Sequence, residues 1–193
     1  MRGVAVLCTR ENSHYLKAGV ECYDSQRDAY SFDPMADDRL AIVAHPPCAQ
    51  WGILRALSNY NPREKNLGPW CVCAVQLNGG VLEHPRGSRL FHEMGLPLPG
   101  DSPDIHGGVT IEVDQLWWGY PCQKRTWFYC VRTPSPICPL SFARPTHVID
   151  TTRRDKKRLP FLPKSRRSET VPALCQWLID LASQSTLKGH VKK

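Results

Sequence analysis

Several features that would assign a protein to a class are missing from this sequence of 193 residues. Its apolar runs fall short of the roughly 18 residues that a membrane-spanning helix needs, and the run near the N-terminus is too short for a signal peptide. Apolar residues make up 41% of the chain and charged residues 22%, a balance that argues against wholesale disorder. We therefore expect a folded, soluble, cytoplasmic protein.

The nine cysteines lack the spacing of a zinc site. None of them forms a Cys-x-x-Cys pair, and the pair Cys71 and Cys73 is too tight for the usual finger. Cys122, Cys130 and Cys138 lie eight residues apart without paired histidines. An odd number of cysteines in a chain of this length favours reduced thiols. We expect no metal, and small buried hydrophobic side chains at most of these positions.

Positive charge is concentrated in one segment of the chain. The formal net charge is +7, and residues 151–167 hold eight basic residues and one acidic residue, so 17 residues of each sign remain elsewhere. Such a segment is either a phosphate-contacting element or a solvated linker, since Pro160 and Pro163 break regular structure. The sequence alone leaves these alternatives open.

Apolar runs alternate with helical segments along the chain, which predicts an α/β fold with a mostly parallel sheet and helices on both faces. We predict strands over residues 3–8, 20–23, 40–44, 81–83, 114–118 and 126–131. We predict helices over 11–18, 69–77 and 172–182, the last capped by Ser168 or Thr170. The chain then divides into an α/β core over 1–150, the basic segment 151–167, a C-terminal helix over 168–184 that packs on the core, and a basic tail over 185–193.

Three polar clusters come directly after predicted strands. They are His45-Pro46-Pro47-Cys48, Glu83-His84-Pro85 and the stretch that follows Trp118. In sheets of this kind, ligands bind beyond the carboxyl ends of the strands. We therefore expect the three clusters to meet at one edge of the sheet and to form a site there.

The side chains in these clusters suit nucleophilic chemistry on a heterocyclic base. Two prolines present Cys48 at a strand exit, and if a helix follows, its dipole would favour a thiolate, which attacks electron-poor ring carbons. Glu83 can protonate or hydrogen-bond a ring nitrogen, while Gln123, Lys124 and Arg125 suit a base edge or a phosphate. The alternatives are an inert buried cysteine and a surface glutamate.

Four short motifs together resemble those of DNA cytosine-5 methyltransferases, in the same order along the chain. They are His45-Pro46-Pro47-Cys48, Glu83-His84-Pro85, Trp118-Gly119-Tyr120-Pro121 with Lys124-Arg125-Thr126, and Ser168-x-x-Val171-Pro172. The chain resembles small phage-encoded methyltransferase-like proteins more closely than the wider family, over about residues 3–182. The resemblance implies a truncated Rossmann-like methyltransferase fold without a separate target-recognition domain, and a phage origin.

The resemblance also implies a mechanism and a set of site residues. Cys48 would attack carbon-6 of cytosine, Glu83 would engage nitrogen-3, and Arg125 would help hold the base. Carbon-5 would then take a methyl group from S-adenosylmethionine, with the base flipped out if the substrate is duplex DNA. The implied substrate-binding residues are Pro47, Gln50, Trp51, His84, Pro85, Gln123 and Lys124. The implied cofactor-binding residues are Cys8, Thr9, Asp24, Asp28, Pro46, Ser168 and Val171.

The sequence departs from the family in its first loop. Residues 8–13 contain no glycine, where the family is glycine-rich so that the backbone can approach the cofactor. Residues 51–70 interleave aromatic and basic side chains, which suits stacking on bases and contacts with phosphates, or else forms a lid packed on the core. Three functions stay open: a cytosine-carbon-5 methyltransferase-like enzyme acting on DNA or a cytosine nucleotide, the same chemistry with another one-carbon donor, and an inactive protein of the phage counter-defence type that binds nucleic acid or a nucleotide signal.

Overall fold

A computed structural model describes residues 1–36, 39–52, 55–139, 141–149 and 159–187. The described part of the chain is an α/β fold built on a six-stranded sheet. Its strands are β1 (Gly3–Leu7), β2 (Glu21–Tyr23), β3 (Leu40–Ala44), β4 (Gly80–Pro85), β5 (Gly108–Asp114) and β6 (Arg125–Val131). Its helices are α1 (His14–Lys17), α2 (Pro62–Asn78), α3 (Arg89–Glu93) and α4 (Pro172–Ser183).

The sheet is mixed but mostly parallel, with the strand order β2-β1-β3-β4-β6-β5. The first four strands in this order pair in parallel, and β6 runs antiparallel between β4 and β5. The carboxyl ends of β1, β2, β3, β4 and β5 therefore lie at one edge, together with the amino end of β6. This confirms the predicted α/β class and places the polar ends of several strands side by side.

Two apolar clusters lie on opposite faces of the sheet because successive side chains of a strand alternate between the faces. Val4 and Val6 of β1 belong to the cluster that contains the buried side chains of α1 and α4. Ala5 and Leu7 belong to the cluster that contains those of α2 and α3. Burial on both faces explains why the parallel strands appear in the sequence as continuous apolar runs.

The predicted strand over residues 114–118 is wrong. Residues Gln115–Trp118 form a 3-10 turn, because the Asp114 carboxylate accepts hydrogen bonds from the backbone N–H groups of Leu116 and Lys124. The strand lies just before the turn, as β5. Its first residue, Gly108, lacks the Cβ that would come within 2.3 Å of the Tyr129 ring, so a residue that weakens a strand prediction is required there by packing.

The helix predicted over residues 69–77 begins seven residues earlier, as α2. Asn61 caps it by accepting hydrogen bonds from the backbone N–H groups of Arg63 and Glu64, and Pro69 lies inside the helix rather than at its start. Its end at Asn78, followed by glycine, is as predicted.

Smaller differences concern the other helices. The helix predicted over residues 11–18 is shorter, since Ser13 caps α1 and the helix begins at His14. Helix α4 lies where it was predicted, but its N-cap is Val171 and no side chain caps it, so neither Ser168 nor Thr170 has that role. The short helix α3 was not predicted. Throughout the described ranges, no helix has the length and apolar character needed to cross a bilayer.

Candidate functional site

A cavity of about 720 Å³ opens at the edge where the parallel strands end. The ends of β1, β3 and β4 form its floor, and the loop before α1 forms one wall. Residues 164–170, which we name the strap, form a second wall, which contacts that loop through the hydrogen bond from Arg10 to the Ser165 carbonyl. The volume lies in the range of roughly 300–1,000 Å³ that is typical of small-molecule sites. The predicted meeting of polar clusters at one edge is therefore present, and it encloses a space for a ligand.

Cys48 lines this cavity and is an exposed residue, although its sulfur is largely surrounded by protein. The backbone N–H groups of Trp51 and Gly52 both donate to the Cys48 carbonyl, at 3.1 and 2.8 Å, so a turn follows the cysteine and the next α-helix begins only at Pro62. In the described part of the chain no α-helix begins at Cys48, so no helix dipole there favours the thiolate. Burial of the sulfur and the nearby Glu83 carboxylate raise the pKa of Cys48, whereas Lys124 lowers it.

Glu83 faces the cavity from β4, and both of its carboxylate oxygens have partners. Oε2 lies 2.9 Å from His45 Nδ1, and Oε1 accepts a hydrogen bond of 2.8 Å from Gln115 Nε2. Lys124 Nζ lies 4.0 Å from Oε1. Burial alone would raise the pKa of Glu83, but Lys124 and His45 outweigh it and lower this pKa to about 2. Glu83 is therefore an anion at neutral pH, which suits it to accept hydrogen bonds rather than to donate a proton.

His45 links Glu83 to the far side of the cavity. Its Nε2 lies 2.9 Å from the hydroxyl oxygen of Tyr15, a buried residue of α1. Burial raises the pKa of Tyr15 well above its usual value, so the phenol keeps its proton and can donate a hydrogen bond to Nε2 in the tautomer whose Nδ1 carries the hydrogen. The Nδ1–H group of His45 then donates to Glu83. This chain of two hydrogen bonds fixes the orientation of the carboxylate.

Gln115 and Lys124 complete the polar floor. Gln115 is fully buried in the 3-10 turn after β5, and its Nε2 also donates to Thr126 Oγ1 at 3.0 Å. Lys124 comes just before β6, and its Nζ lies 5.1 Å from the centroid of the Tyr120 ring. Sequence analysis missed His45, Tyr15 and Gln115 as site residues. Of the three, only His45 could have been predicted from the sequence, because it is the first residue of the His45-Pro46-Pro47-Cys48 motif.

The rim of the cavity is rich in cations. Arg10, Lys164, Arg166 and Arg167 all line it, and the last three belong to the described end of the predicted basic segment. Residues 150–158, which include the rest of that segment, lie outside the described residues, as do residues 188–193 of the basic tail. Three residues of the segment that was predicted to contact phosphate, or else to be a linker, thus line the cavity.

Several of the predicted site residues are brought together here. The cavity is lined by nine of them: Cys8, Thr9, Pro46, Pro47, Cys48, Glu83, Pro85, Lys124 and Ser168. Val171 is buried directly after the strap, at the start of α4, and does not line the cavity. The agreement is best at the ends of β1, β3 and β4, where an apolar run followed by polar residues marks the edge of the sheet.

Arg125 and Gln123, in contrast, lie away from the cavity. Both border a shallow groove near Glu112, and Arg125 Nη1 lies 3.9 Å from Glu112 Oε1 with about half of its side chain exposed. Neighbouring residues of an extended chain face opposite directions. Lys124 therefore faces the cavity, and Gln123 and Arg125 on either side of it face away. The cation of this motif that faces the cavity is therefore Lys124.

Three of the predicted substrate-binding residues are part of the supporting structure instead. His84 is fully buried, and neither ring nitrogen has a hydrogen-bond partner among the described residues. Its burial lowers its pKa to about 4, against the opposing effects of Glu83 and the Pro47 carbonyl. Trp51 is only 2% exposed and packs in the core on the α2 face. Gln50 donates to the Asn59 carbonyl at 2.7 Å and so braces its own loop.

The two acidic residues predicted to bind a cofactor ribose have local roles. One carboxylate oxygen of Asp24 accepts from the backbone N–H groups of Gln26 and Arg27, at 2.8 and 3.1 Å. Asp28 caps a 3-10 turn and forms an ion pair with Arg63. Neither residue lines the cavity. Local turn formation therefore accounts for both carboxylates.

Comparisons with known proteins assign no family to this chain. No model of a known protein family matches it, and no curated protein is significantly similar to it. Among the described residues, no group of three or more His, Cys, Asp and Glu side chains is placed to hold a metal ion. The functional argument therefore rests on the side chains of the cavity itself.

Proposed function

We propose that this protein is a cytosine-modifying enzyme that activates carbon-5 of the base by adding the Cys48 thiolate to carbon-6. One observation carries the proposal: Cys48 and Glu83, which follow or end the paired strands β3 and β4, line the same cavity. A nucleophile and a fixed anion on neighbouring strand ends are the two groups that this chemistry needs. The order of the motifs, which resembles that of cytosine-5 methyltransferases, supports the same reading.

In the proposed reaction, a bond forms between the sulfur of Cys48 and carbon-6 of cytosine. The electron pair of the carbon-5–carbon-6 double bond moves to carbon-5 and is delocalised onto nitrogen-3, which takes a proton from water, and carbon-5 becomes nucleophilic as part of an enamine. Carbon-5 then takes a proton from water or a one-carbon electrophile. Loss of the original carbon-5 proton to solvent, followed by departure of the thiolate, restores the double bond. Lys124 assists the first step because it lowers the pKa of Cys48.

Glu83 selects the base in this proposal. As a carboxylate it accepts a hydrogen bond from the exocyclic amino group of cytosine and stabilises a proton on nitrogen-3. Uracil has an oxygen in place of the amino group, and two acceptors that face each other repel. His45 and Gln115, which hold the two oxygens of Glu83, act as positioning residues.

S-adenosylmethionine, which the resemblance implies, fits the described residues poorly. Cys8 adopts a φ of 61°, a left-handed conformation that glycine reaches more easily, so its Cβ stands where the family's loop leaves room. Asp24 and Asp28 do not line the cavity, and the cationic rim would repel a sulfonium ion. The proposed chemistry therefore does not depend on this donor, and its binding stays a prediction.

Exchange of the carbon-5 hydrogen tests the proposal without knowledge of the donor. Cytosine nucleotides and a cytosine-containing oligonucleotide, deuterated at carbon-5, are incubated with the protein in ordinary water. Reversible addition of Cys48 predicts loss of deuterium with the wild type and with Cys73→Ala, which removes the other exposed thiol, but not with Cys48→Ala. Absence of exchange from every substrate at mildly alkaline pH would contradict the proposal.

A binding protein for a nucleotide signal is the second candidate. The raised pKa of Cys48 and the cationic rim favour it, because both suit capture of an anion without covalent chemistry. Binding of nucleotides in the absence of any hydrogen exchange would support this candidate over the enzyme.

A further inference from the structure

The cations on the rim differ in how they are paired. Arg166 faces Glu169 at 3.0 Å, and Lys124 lies beside Glu83. Arg10, Lys164 and Arg167, in contrast, have no carboxylate within 4.0 Å in the described part of the chain. The rim therefore keeps three positive charges that no acidic side chain described here neutralises, all facing one cavity.

Two of these three cations are oriented by hydrogen bonds to backbone carbonyls. The guanidinium of Arg10 donates to the Ser165 carbonyl at 2.6 Å. The guanidinium of Arg167 donates through Nε to the Leu162 carbonyl at 3.2 Å. Each arginine uses one of its five N–H donors in these bonds, so both are oriented and still have donors for a ligand. Lys164 lies on the same strap one residue before Ser165.

The strap is itself anchored at a fixed place relative to the floor. The Tyr120 hydroxyl lies 3.2 and 3.0 Å from the carbonyls of Arg166 and Arg167, and its ring is in contact with Lys124. Lys124 in turn lies beside Glu83. A continuous series of contacts thus joins the cationic rim to the carboxylate that we assign to base selection.

We propose that Arg10, Lys164 and Arg167 form a phosphate subsite and that the substrate is a free cytidine nucleotide rather than DNA. The cytosine part of this inference rests on the proposed function. Guanidinium and ammonium groups bind phosphate through charge-assisted hydrogen bonds. A nucleotide places its phosphate several bonds from its base, and the three cations line the same cavity as Glu83 and Cys48.

The strap argues for a free nucleotide over a polynucleotide. It forms a wall of the cavity, and the Tyr120 hydroxyl holds two of its carbonyls close to the floor, which leaves less room for a base flipped out of a duplex. Single DNA-binding modules usually cover roughly 600–1,000 Å² with broad contacts to the backbone. Here the unneutralised cations converge on a cavity of about 720 Å³, which suits one nucleotide.

Calorimetric titration of the full chain tests the subsite with four probes: cytidine monophosphate, cytidine, inorganic phosphate and a single-stranded oligonucleotide containing one cytosine. We expect the monophosphate to bind at least about 10-fold more tightly than cytidine, since hydrogen bonds to charged groups are the strong ones. Lys164→Ala and Arg10→Ala should each weaken monophosphate binding about 10-fold and leave cytidine binding unchanged. Lys17→Ala, which removes an exposed cation of α1 outside the cavity, should change neither.

The outcomes separate this inference from the proposed function. Equal affinities for cytidine and its monophosphate, or no effect of Lys164→Ala and Arg10→Ala, would overturn the phosphate subsite. Carbon-5 exchange in the oligonucleotide but not in nucleotides would overturn the subsite and leave the proposed enzyme intact. Tight, Lys164-dependent binding of the monophosphate without exchange would support the subsite and overturn the enzyme.

Discussion

The floor and the strap line the same cavity, yet they are built in different ways. On the floor, the Glu83 carboxylate and the His45 ring are only 12% and 11% exposed and are joined by side-chain hydrogen bonds to Tyr15 and Gln115. The strap is largely exposed, and much of its attachment runs through backbone carbonyls. Buried networks of this kind are rigid, whereas exposed segments with few buried contacts open more easily. The comparison teaches that the carboxylate assigned to base selection lies where the fold is most constrained, while charge for phosphate binding lies where it is less constrained.

Because of this difference, we expect variants of the floor and variants of the strap to have different effects. Changes on the floor should alter chemistry and stability together, because the same buried groups serve both. Changes on the strap should alter affinity and local mobility and leave the floor intact.

The largest expected effect comes from Glu83→Gln. The amide keeps the shape of the side chain but replaces an anion by a group that donates a hydrogen bond. We expect carbon-5 exchange in cytosine nucleotides to fall roughly 100- to 1,000-fold, as is usual for loss of one group that stabilises charge in the transition state, and uridine nucleotides to bind relatively better. Exchange rates and titrations with both nucleotides measure this, and unchanged discrimination between the two bases would contradict the assigned role of Glu83.

The next effect concerns the loss of folding stability in acid, which we attribute to His84. His84 is buried, and its pKa is lowered from 6.5 to about 4. Between these two pH values the unfolded chain binds a proton at His84 that the folded chain does not bind. Stability from this group is present above about pH 6.5 and is lost as pH falls. Between about pH 7 and pH 5 we expect a loss on the order of 2 kcal/mol.

Urea unfolding at the two pH values measures this loss in the wild type and in His84→Leu. The leucine variant should show a much flatter dependence, because it removes the titrating group and leaves no unpaired polar atom behind. An equal pH dependence of both proteins would show that another group dominates.

A smaller effect is expected when the strap is released from Tyr120. Tyr120→Phe removes the hydroxyl that lies near two strap carbonyls and should cost about 1 kcal/mol. Hydrogen–deuterium exchange should speed up in residues 164–170 and stay unchanged in β3 and β4. Equal loosening of floor and strap would contradict the separation between the two regions.

The smallest effect concerns the thiol itself. Lys124 lowers the pKa of Cys48 while burial and Glu83 raise it, so Lys124→Ala should reduce the thiolate fraction and slow alkylation of Cys48 by iodoacetamide about threefold near neutral pH. In the wild type, alkylation should keep accelerating as pH rises through about 9. Peptide mass spectrometry separates Cys48 from Cys73, and an early plateau would mean that the thiol is already ionised at neutral pH.

The sequence predicts the floor better than it predicts the orientation of individual side chains. Apolar runs of β1, β3 and β4 followed by polar residues mark one edge of the sheet, and Cys48 and Glu83 both lie there. The choice of Lys124 over Arg125 depends on the register between β5 and β6, in which Asp114 pairs with Arg125. Register is set by tertiary packing, and the strand β5 that sets it was misplaced in the prediction.

Other residues escaped prediction because their roles are set by neighbours distant in sequence. Tyr15 and Gln115 reach the site from elements 30 and 32 residues away from their partners His45 and Glu83. Asp24 and Asp28 suit a ribose by residue type, yet turns and an ion pair to Arg63 use them. Residue type and spacing do not distinguish these outcomes, because both place an acidic residue after β2.

A trapped covalent adduct would test the central claim most directly. The ring nitrogen of 5-azacytosine makes carbon-6 more electron-poor, so a thiolate adds to it without a methyl donor. We would incubate the protein with 5-azacytidine monophosphate and record intact and peptide mass spectra. The account predicts a mass increase of one nucleotide located on Cys48 and absent from Cys48→Ala. No adduct, or an adduct on Cys73 alone, would contradict the assignment of Cys48 as the nucleophile.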